Sequence, residues 1–271
     1  AARRGLELAA RHQARAEGLG IVNSAYIQRP EAVPIGGMAY KTALDMQELR
    51  NADERVALVL RDFQQQADGL GASPVHARQV DGDPFAVIEV EAASHDLIVL
   101  GHRSMFDVEG EIYELPVCVD RIIRTQPRPV LLVPDEERDG ATDPMKAPVL
   151  VAFDGSPASS RAVHMFALLG LAAGRKTHVV TLDEASAEEA EATARRACVL
   201  LERHGAAETQ AIGLGDRDAG TPAETILGMA KTLAPDTIVM GAYGHRGLRE
   251  MFGSCTSEVL NACPAPLFLH H

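Results

Sequence analysis

Glycines at a predicted strand–helix junction are the residues whose spacing points most directly to chemistry. The apolar run 237–240 leads into Gly241 and Gly244, and Gly253 and Ser254 open a predicted helix. Glycine lets the backbone approach a ligand closely, and the N–H groups at a helix start favour an anion. This arrangement suits phosphate binding. A glycine pattern alone is weak evidence, because it also permits a tight strand-to-helix loop.

An acid follows a second apolar run. Residues 149–153 end in Asp154, which precedes Gly155 and Ser156. In other nucleotide folds, an acid at the end of a strand binds a ribose hydroxyl. Asp also caps the backbone of its own turn. The nearby glycine loop favours the ligand role, and the turn role stays open.

Together these two segments resemble the universal stress protein family, and the resemblance covers most of the chain. The family signature is Gly, two residues, Gly, nine residues, Gly, then Ser or Thr. Gly241 and Gly244 fit this pattern, but only eight residues separate Gly244 from Gly253, so the loop is one residue short.

The resemblance implies an adenine nucleotide, ATP or ADP, with or without Mg²⁺. It places Gly253 and Ser254 at the outer phosphates, Asp154 at the ribose or adenine edge, and Thr181 at the adenine. The implied binding residues are Asp154, Thr181, Met240, Gly241, Gly244, Gly253, Ser254 and Cys255. His245, Arg246 and Arg249 are either phosphate ligands or solvated loop charges, with equal weight.

The chain consists of two similar halves. A period near half the chain indicates a tandem domain duplication. A charged segment at 134–148, with proline at both ends, is the predicted linker between domains 1–136 and 147–271. The corresponding segments are 96–101 with 236–241, 126–132 with 263–269, and 82–84 with 220–222.

In the second half, apolar strands alternate with helices, which indicates a parallel sheet covered on both faces. Ser156 and Pro157 predict a helix start with a stop near Gly174, and Thr221 predicts a second start with a capping box. The remaining predicted elements are strands 148–153, 177–182, 209–214, 237–240 and 266–269 and helices 185–205 and 254–262.

We therefore predict an α/β fold of two tandem, doubly wound, Rossmann-like parallel sheets, each five-stranded in the order 3-2-1-4-5. The apolar last strands, 129–133 and 266–269, should pair with each other within the chain or across a homodimer. The first half begins inside its first helix, so we expect residues before Ala1 to supply its first strand. Its glycine loop is degenerate, because Pro116 and Val117 align with Gly253 and Ser254.

Composition excludes several classes of partner. The formal net charge of −12 argues against nucleic acid and anionic membranes, and no apolar run is long enough to span a bilayer. A cytoplasmic protein is expected. The four cysteines lack zinc spacing and are expected to be reduced and buried, and no metal site is predicted. Cys255 is the exception, because a thiol near a helix start can have a lowered pKa.

Two functions remain open. The first is a stress-response regulatory protein that binds ATP or ADP in its second half, with at most slow hydrolysis and no assigned catalytic residue. The second is a non-enzymatic interaction or scaffold protein that binds no nucleotide or another small ligand. Walker, dinucleotide and Gly-x-Ser-x-Gly motifs are absent from the sequence.

Overall fold

The computed structural model describes residues 1–102, 117–134, 147–183, 186–215, 220–242 and 251–271. The chain divides into two compact units, of which the first contains Ala1–Ser94 and the second contains the described residues from His95 onward. The fold class is α/β, as predicted.

In the first unit, a two-stranded parallel sheet packs against a long helix. Strands β1 (Ala16–Val22) and β2 (Val75–Asp81) pair in parallel, and the 33-residue helix α3 (Met38–Leu70) lies against both. A small core joins Leu6, Phe63, Ala67 and Ala72. The other helices of this unit are α1 (Ala2–His12), α2 (Ser24–Ile27) and α4 (Pro84–Ala92).

The second unit is built on a seven-stranded sheet. Its strands are β3 (Ile98–Gly101), β4 (Val130–Val133), β5 (Val149–Ala152), β6 (Lys176–Asp183), β7 (Glu208–Gly215), β8 (Thr237–Gly241) and β9 (Leu267–His270). Their spatial order is β3-β4-β9-β8-β5-β6-β7. Within the second half, β7-β6-β5-β8-β9 is therefore the order 3-2-1-4-5. The helices are α5 (Val117–Thr125), α6 (Pro157–Leu168), α7 (Ala187–Arg203), α8 (Pro222–Leu233) and α9 (Met251–Ala262).

The two apolar last strands pair with each other. β4 and β9 run antiparallel, with Val130 opposite Leu269 and Leu132 opposite Leu267. All residues of both strands are buried. The structure thus has the intramolecular form of the predicted pairing, and a homodimer stays a prediction.

Two expectations were wrong. The first half does not form its own five-stranded sheet, because β1 and β2 stand in one sheet while β3 and β4 join the other. Among the described residues there is no first-half counterpart of β5, the strand that joins β6 to β8. The compact units therefore do not follow the duplication, and domains 1–136 and 147–271 remain a prediction.

The second error concerns the end of α6. This helix ends at Leu168 and not near Gly174, because Gly170 adopts φ 71° and turns the chain. The Leu171 amide donates to the Phe166 carbonyl at 3.1 Å, and the Gly170 amide donates to the Ala167 carbonyl at 2.9 Å. These two bonds form a Schellman motif, which favours glycine at the left-handed position.

Candidate functional site

The candidate site lies at the carboxyl ends of β5 and β8, where the strand order of the second-half sheet reverses. From the central strand β5, the sheet continues to β6 on one side and to β8 on the other, all in parallel. Parallel strands place their carboxyl ends at one edge, and ligands of open α/β sheets bind in the crevice at such a switch point. Ala152 stands opposite Met240, so the turns that follow β5 and β8 lie side by side.

Asp154 occupies the turn after β5. Its Oδ1 accepts a hydrogen bond from the Ser156 amide at 2.9 Å, and Gly155 adopts φ 72°. Ser156 then caps α6, accepting from the Ser159 amide at 3.2 Å. The turn role left open by the sequence is therefore present. The side chain of Asp154 remains exposed, so its carboxylate is also accessible to a ligand.

Gly241 has a packing role that the sequence did not indicate. A Cβ atom at this position would lie 2.5 Å from the Ser159 nitrogen and 2.7 Å from the Ala158 carbonyl carbon. Only glycine lets the first turn of α6 approach β8 this closely. The preceding Met240 is buried, and the Ala242 amide donates to the His270 carbonyl at 2.8 Å. Gly241 therefore determines how closely the first turn of α6 lies to the end of β8 at the crevice.

Thr181 lies near the carboxyl end of β6 and is buried. Its hydroxyl donates to the Phe153 carbonyl at 2.6 Å, and the Phe153 amide donates to the Val180 carbonyl at 2.9 Å. These bonds tie the start of the Asp154 turn to β6. Thr181 therefore holds the wall of the crevice, in addition to its predicted place at the adenine.

Cys255 lies in α9 and is buried, with 5% of its surface exposed. Burial, together with the charges of Glu258 and Asp154, raises the pKa of its thiol to about 11. The expected lowering of the Cys255 pKa is therefore wrong, because desolvation of the thiolate outweighs the helix start. Helix α9 follows the carboxyl end of β8, which lies at the same end of the sheet as the β5 turn.

The remaining predicted residues are placed only in part. Gly253 and Ser254 lie in the first turn of α9, which begins at Met251. Gly244, together with His245, Arg246 and Arg249, lies outside the described residues. The first-half counterpart of the loop, up to Pro116, lies outside them as well.

The N-terminus of α6 is the feature of this crevice that sequence reasoning missed. Ser159 is buried, and its hydroxyl donates to the Ser156 carbonyl at 3.2 Å. The capping pair Ser156 and Pro157 predicted where the helix begins, but not that its first turn would touch Gly241. That contact depends on tertiary packing.

The described part of the chain contains neither a candidate metal cluster nor a candidate membrane-spanning helix. No group of three or more His, Cys, Asp or Glu side chains there could hold a metal ion. No described helix is both long enough and apolar enough to cross a membrane.

The sheet order defines an α/β protein of the doubly wound class. Residues 145–271 match the model of the universal stress protein family. The second half of the chain therefore carries a domain of that family.

Similar proteins agree with this assignment. A universal stress protein of Synechocystis is 26% identical over 216 residues, covering 79% of this chain and 71% of that protein. The crystal structure of a universal stress protein from Archaeoglobus fulgidus superposes with a TM-score of 0.65 at 20% identity, over 98% of this chain and 92% of that one. A Pseudomonas aeruginosa structure described as functionally unknown gives a TM-score of 0.52 at 17% identity, over 96% and 94%. These two structures are similar in fold.

Proposed function

We propose that this protein is a stress-response regulator that binds one adenine nucleotide, ATP or ADP, in its second half. The observation that carries the proposal is the side-by-side position of the Asp154 turn and the end of β8 at Gly241, at one switch point of the sheet. A cytoplasmic site of action and a homodimer are part of the same proposal and rest on the family resemblance alone.

The crevice fits the parts of a nucleotide. An exposed carboxylate at Asp154 can accept hydrogen bonds from two ribose hydroxyls. The first turn of α9, with Gly253 and Ser254, offers backbone N–H groups to phosphates. Met240, at the end of β8, and Thr181, near the end of β6, flank the end of β5 on its two sides. When bound, Mg²⁺ would supply charge neutralisation at the phosphates.

Hydrolysis is expected to be slow or absent. Asp154 is the acid that we assign to the crevice, and one of its oxygens already accepts from the Ser156 amide. A general base must reach the proton that it removes in the bound pose. With Asp154 assigned to the ribose, we assign no described residue as a base at the phosphates.

Titration calorimetry with ATP and ADP, with and without Mg²⁺, tests the proposal. We expect about one site per chain, since only one of the two glycine loops is intact. Gly253→Val should abolish binding, because its side chain blocks close approach of the phosphates. Ser254→Ala should weaken binding by about 1 kcal/mol, the usual contribution of one hydrogen bond.

Asp154→Asn is the sharpest variant. The Asn oxygen can still accept from the Ser156 amide, so the turn is preserved while the charge is removed. Affinity should fall with no loss of folding stability. Glu208→Gln, an exposed change at the other end of edge strand β7, is the matched control.

The alternative, an interaction protein without nucleotide, is favoured by one observation. Gly241 and Asp154 both have structural roles, in packing against α6 and in capping the turn. Absence of ATP and ADP binding by wild-type protein at millimolar ligand would select this alternative. Rapid turnover of ATP that Asp154→Asn alone removes would instead identify an enzyme.

A further inference from the structure

The carbonyl of Leu260 has lost its normal helical partner. In an α-helix, the C=O of a residue accepts from the N–H four residues later. For Leu260 that residue is Pro264, which has no N–H. Leu260 lies at the end of α9 and is 1% exposed, so water does not readily replace the missing donor. A buried carbonyl without a donor is costly.

His102 supplies the missing donor. Its Nε2 lies 2.6 Å from the Leu260 carbonyl oxygen, and since a carbonyl only accepts, Nε2 donates. The backbone of His102 is itself fixed, because its amide donates to the Val133 carbonyl at 2.8 Å. His102 directly follows β3, so a first-half residue caps the C-terminus of a second-half helix.

The antiparallel junction of the sheet explains this contact. β4 runs antiparallel to β9, and β3 runs parallel to β4. The carboxyl ends of β3 and β4 therefore lie at the same end of the sheet as the start of β9. Helix α9 connects the carboxyl end of β8 to the start of β9, and it therefore crosses the sheet from one edge to the other. Its first turn faces the crevice, and its last turn faces His102.

We propose that His102 is a positioning residue for the nucleotide site, acting through α9; this rests on the proposed function. Cys255, Val259 and Leu260 are all buried, so the helix is packed from its second turn to its end. Loss of the His102 bond frees the last turn to fray and shifts the first turn relative to Asp154. Because such coupling is reciprocal, a bound nucleotide also strengthens the cap at Leu260.

The experiment compares the wild-type full chain with five variants. His102→Ala removes the donor, and His102→Gln keeps an N–H donor on a side chain of similar reach. Pro264→Ala restores the backbone N–H four residues after Leu260, and it is also combined with His102→Ala. His164→Ala is the matched control. His164 Nδ1 also lies 2.8 Å from a backbone carbonyl, that of Ser160. This carbonyl lies inside α6, so it keeps its helical amide donor when the side chain is removed.

Two readouts separate the cap from the nucleotide. Amide hydrogen exchange over residues 259–263 is measured without nucleotide, and ATP affinity is measured by calorimetry. His102→Ala should speed exchange roughly tenfold, the usual effect of losing one hydrogen bond, and should weaken ATP binding about threefold or more. His102→Gln and the Pro264→Ala double variant should recover both, and His164→Ala should change neither.

Unchanged exchange in His102→Ala would overturn the cap. Faster exchange with unchanged ATP affinity would overturn the positioning role while leaving nucleotide binding intact. If wild-type protein binds no ATP, the proposed function fails and the positioning role fails with it, and the exchange data alone then decide whether His102 caps α9.

Discussion

A Cβ atom on Gly241 would lie 2.5 Å from the backbone nitrogen of Ser159, so β8 and α6 pack backbone against backbone. Real Cβ atoms do not approach other atoms this closely. Any side chain at this position must push the first turn of α6, and with it Ser156, away from the sheet. The contact between Gly241 and the first turn of α6 therefore contributes both to the crevice and to the stability of the second unit.

Gly241→Ala should therefore destabilise the protein by about 2 kcal/mol, within the usual range for overpacking. Urea unfolding followed by circular dichroism measures this. Gly228→Ala is the control, because no atom lies within 4 Å of a Cβ there and Gly228 stands inside α8. That change should be neutral or stabilising, since Ala favours a helix. Equal destabilisation by both variants would contradict the packing role.

A buried ion pair should contribute more than an exposed one. Arg175 Nη2 lies 2.8 Å from Asp236 Oδ2, with side-chain exposures of 3% and 11%. The same nitrogen donates to the Ala147 carbonyl at 3.1 Å. Asp236→Asn leaves the guanidinium without its counter-charge and should destabilise the protein by about 3 kcal/mol.

The control for this pair is Lys176 with Glu208, whose side chains are 44% and 61% exposed. Glu208→Gln should change the free energy of unfolding by about 0.5 kcal/mol or less, because water screens the pair. Both variants are compared in the same urea titration. Similar losses in the free energy of unfolding for Asp236→Asn and Glu208→Gln would show that burial of Arg175 does not strengthen its ion pair.

The raised pKa of Cys255, about 11, predicts a slow thiol. At pH 8 only about one molecule in a thousand would carry the thiolate. Timed alkylation with iodoacetamide and mass spectrometry should therefore show Cys118 and Cys263, which are partly exposed, modified before Cys255. Early modification of Cys255 in the folded protein would contradict its burial.

The same pKa affects stability at high pH. The folded state holds the Cys255 proton more tightly than the unfolded state, so unfolding releases a proton above the unfolded pKa of about 8.5. The stabilisation is complete below that pH and is lost as pH rises towards about 11. Cys255→Ala should flatten this part of the stability profile.

His178 gives the opposite dependence. Burial lowers its pKa first, and the charge of Lys176 lowers it further. The unfolded state therefore binds more protons below about pH 6.5, and stability should be lost as pH falls from that value. His178→Gln should reduce this loss between pH 6.5 and 5 in urea titrations. Part of the pH dependence of stability should remain in His178→Gln, because the pKa of the buried His270 is also lowered.

Local features were predictable from the sequence. The apolar runs located β5, β6, β7, β8 and β9 to within a residue or two, because each is bounded by turn residues. The capping box was confirmed, since Thr221 accepts from the Glu224 amide and the Glu224 carboxylate accepts from the Thr221 amide. Both signals act within a few residues, where sequence patterns are most informative.

Features that depend on distant contacts were not predictable. The Cys255 pKa depends on burial, and the roles of Gly241 and Thr181 depend on which elements pack beside them. The bond from His102 to Leu260 depends on the direction in which β4 meets β9. None of these relationships leaves a periodic or spaced pattern in the chain.

The position of β9 has a consequence for folding. This strand is inserted between β4 and β8, although it is the last strand in chain order. The sheet of the second unit therefore cannot be completed before β9 has been synthesised. Until then, one edge of β4 lacks its partner strand, which lies more than a hundred residues later in the chain. Contacts of such long range slow folding and leave apolar edges exposed in the meantime. We expect nascent chains that stop before Leu267 to depend on chaperones, and closure by β9 to bury both neighbouring edges in one step.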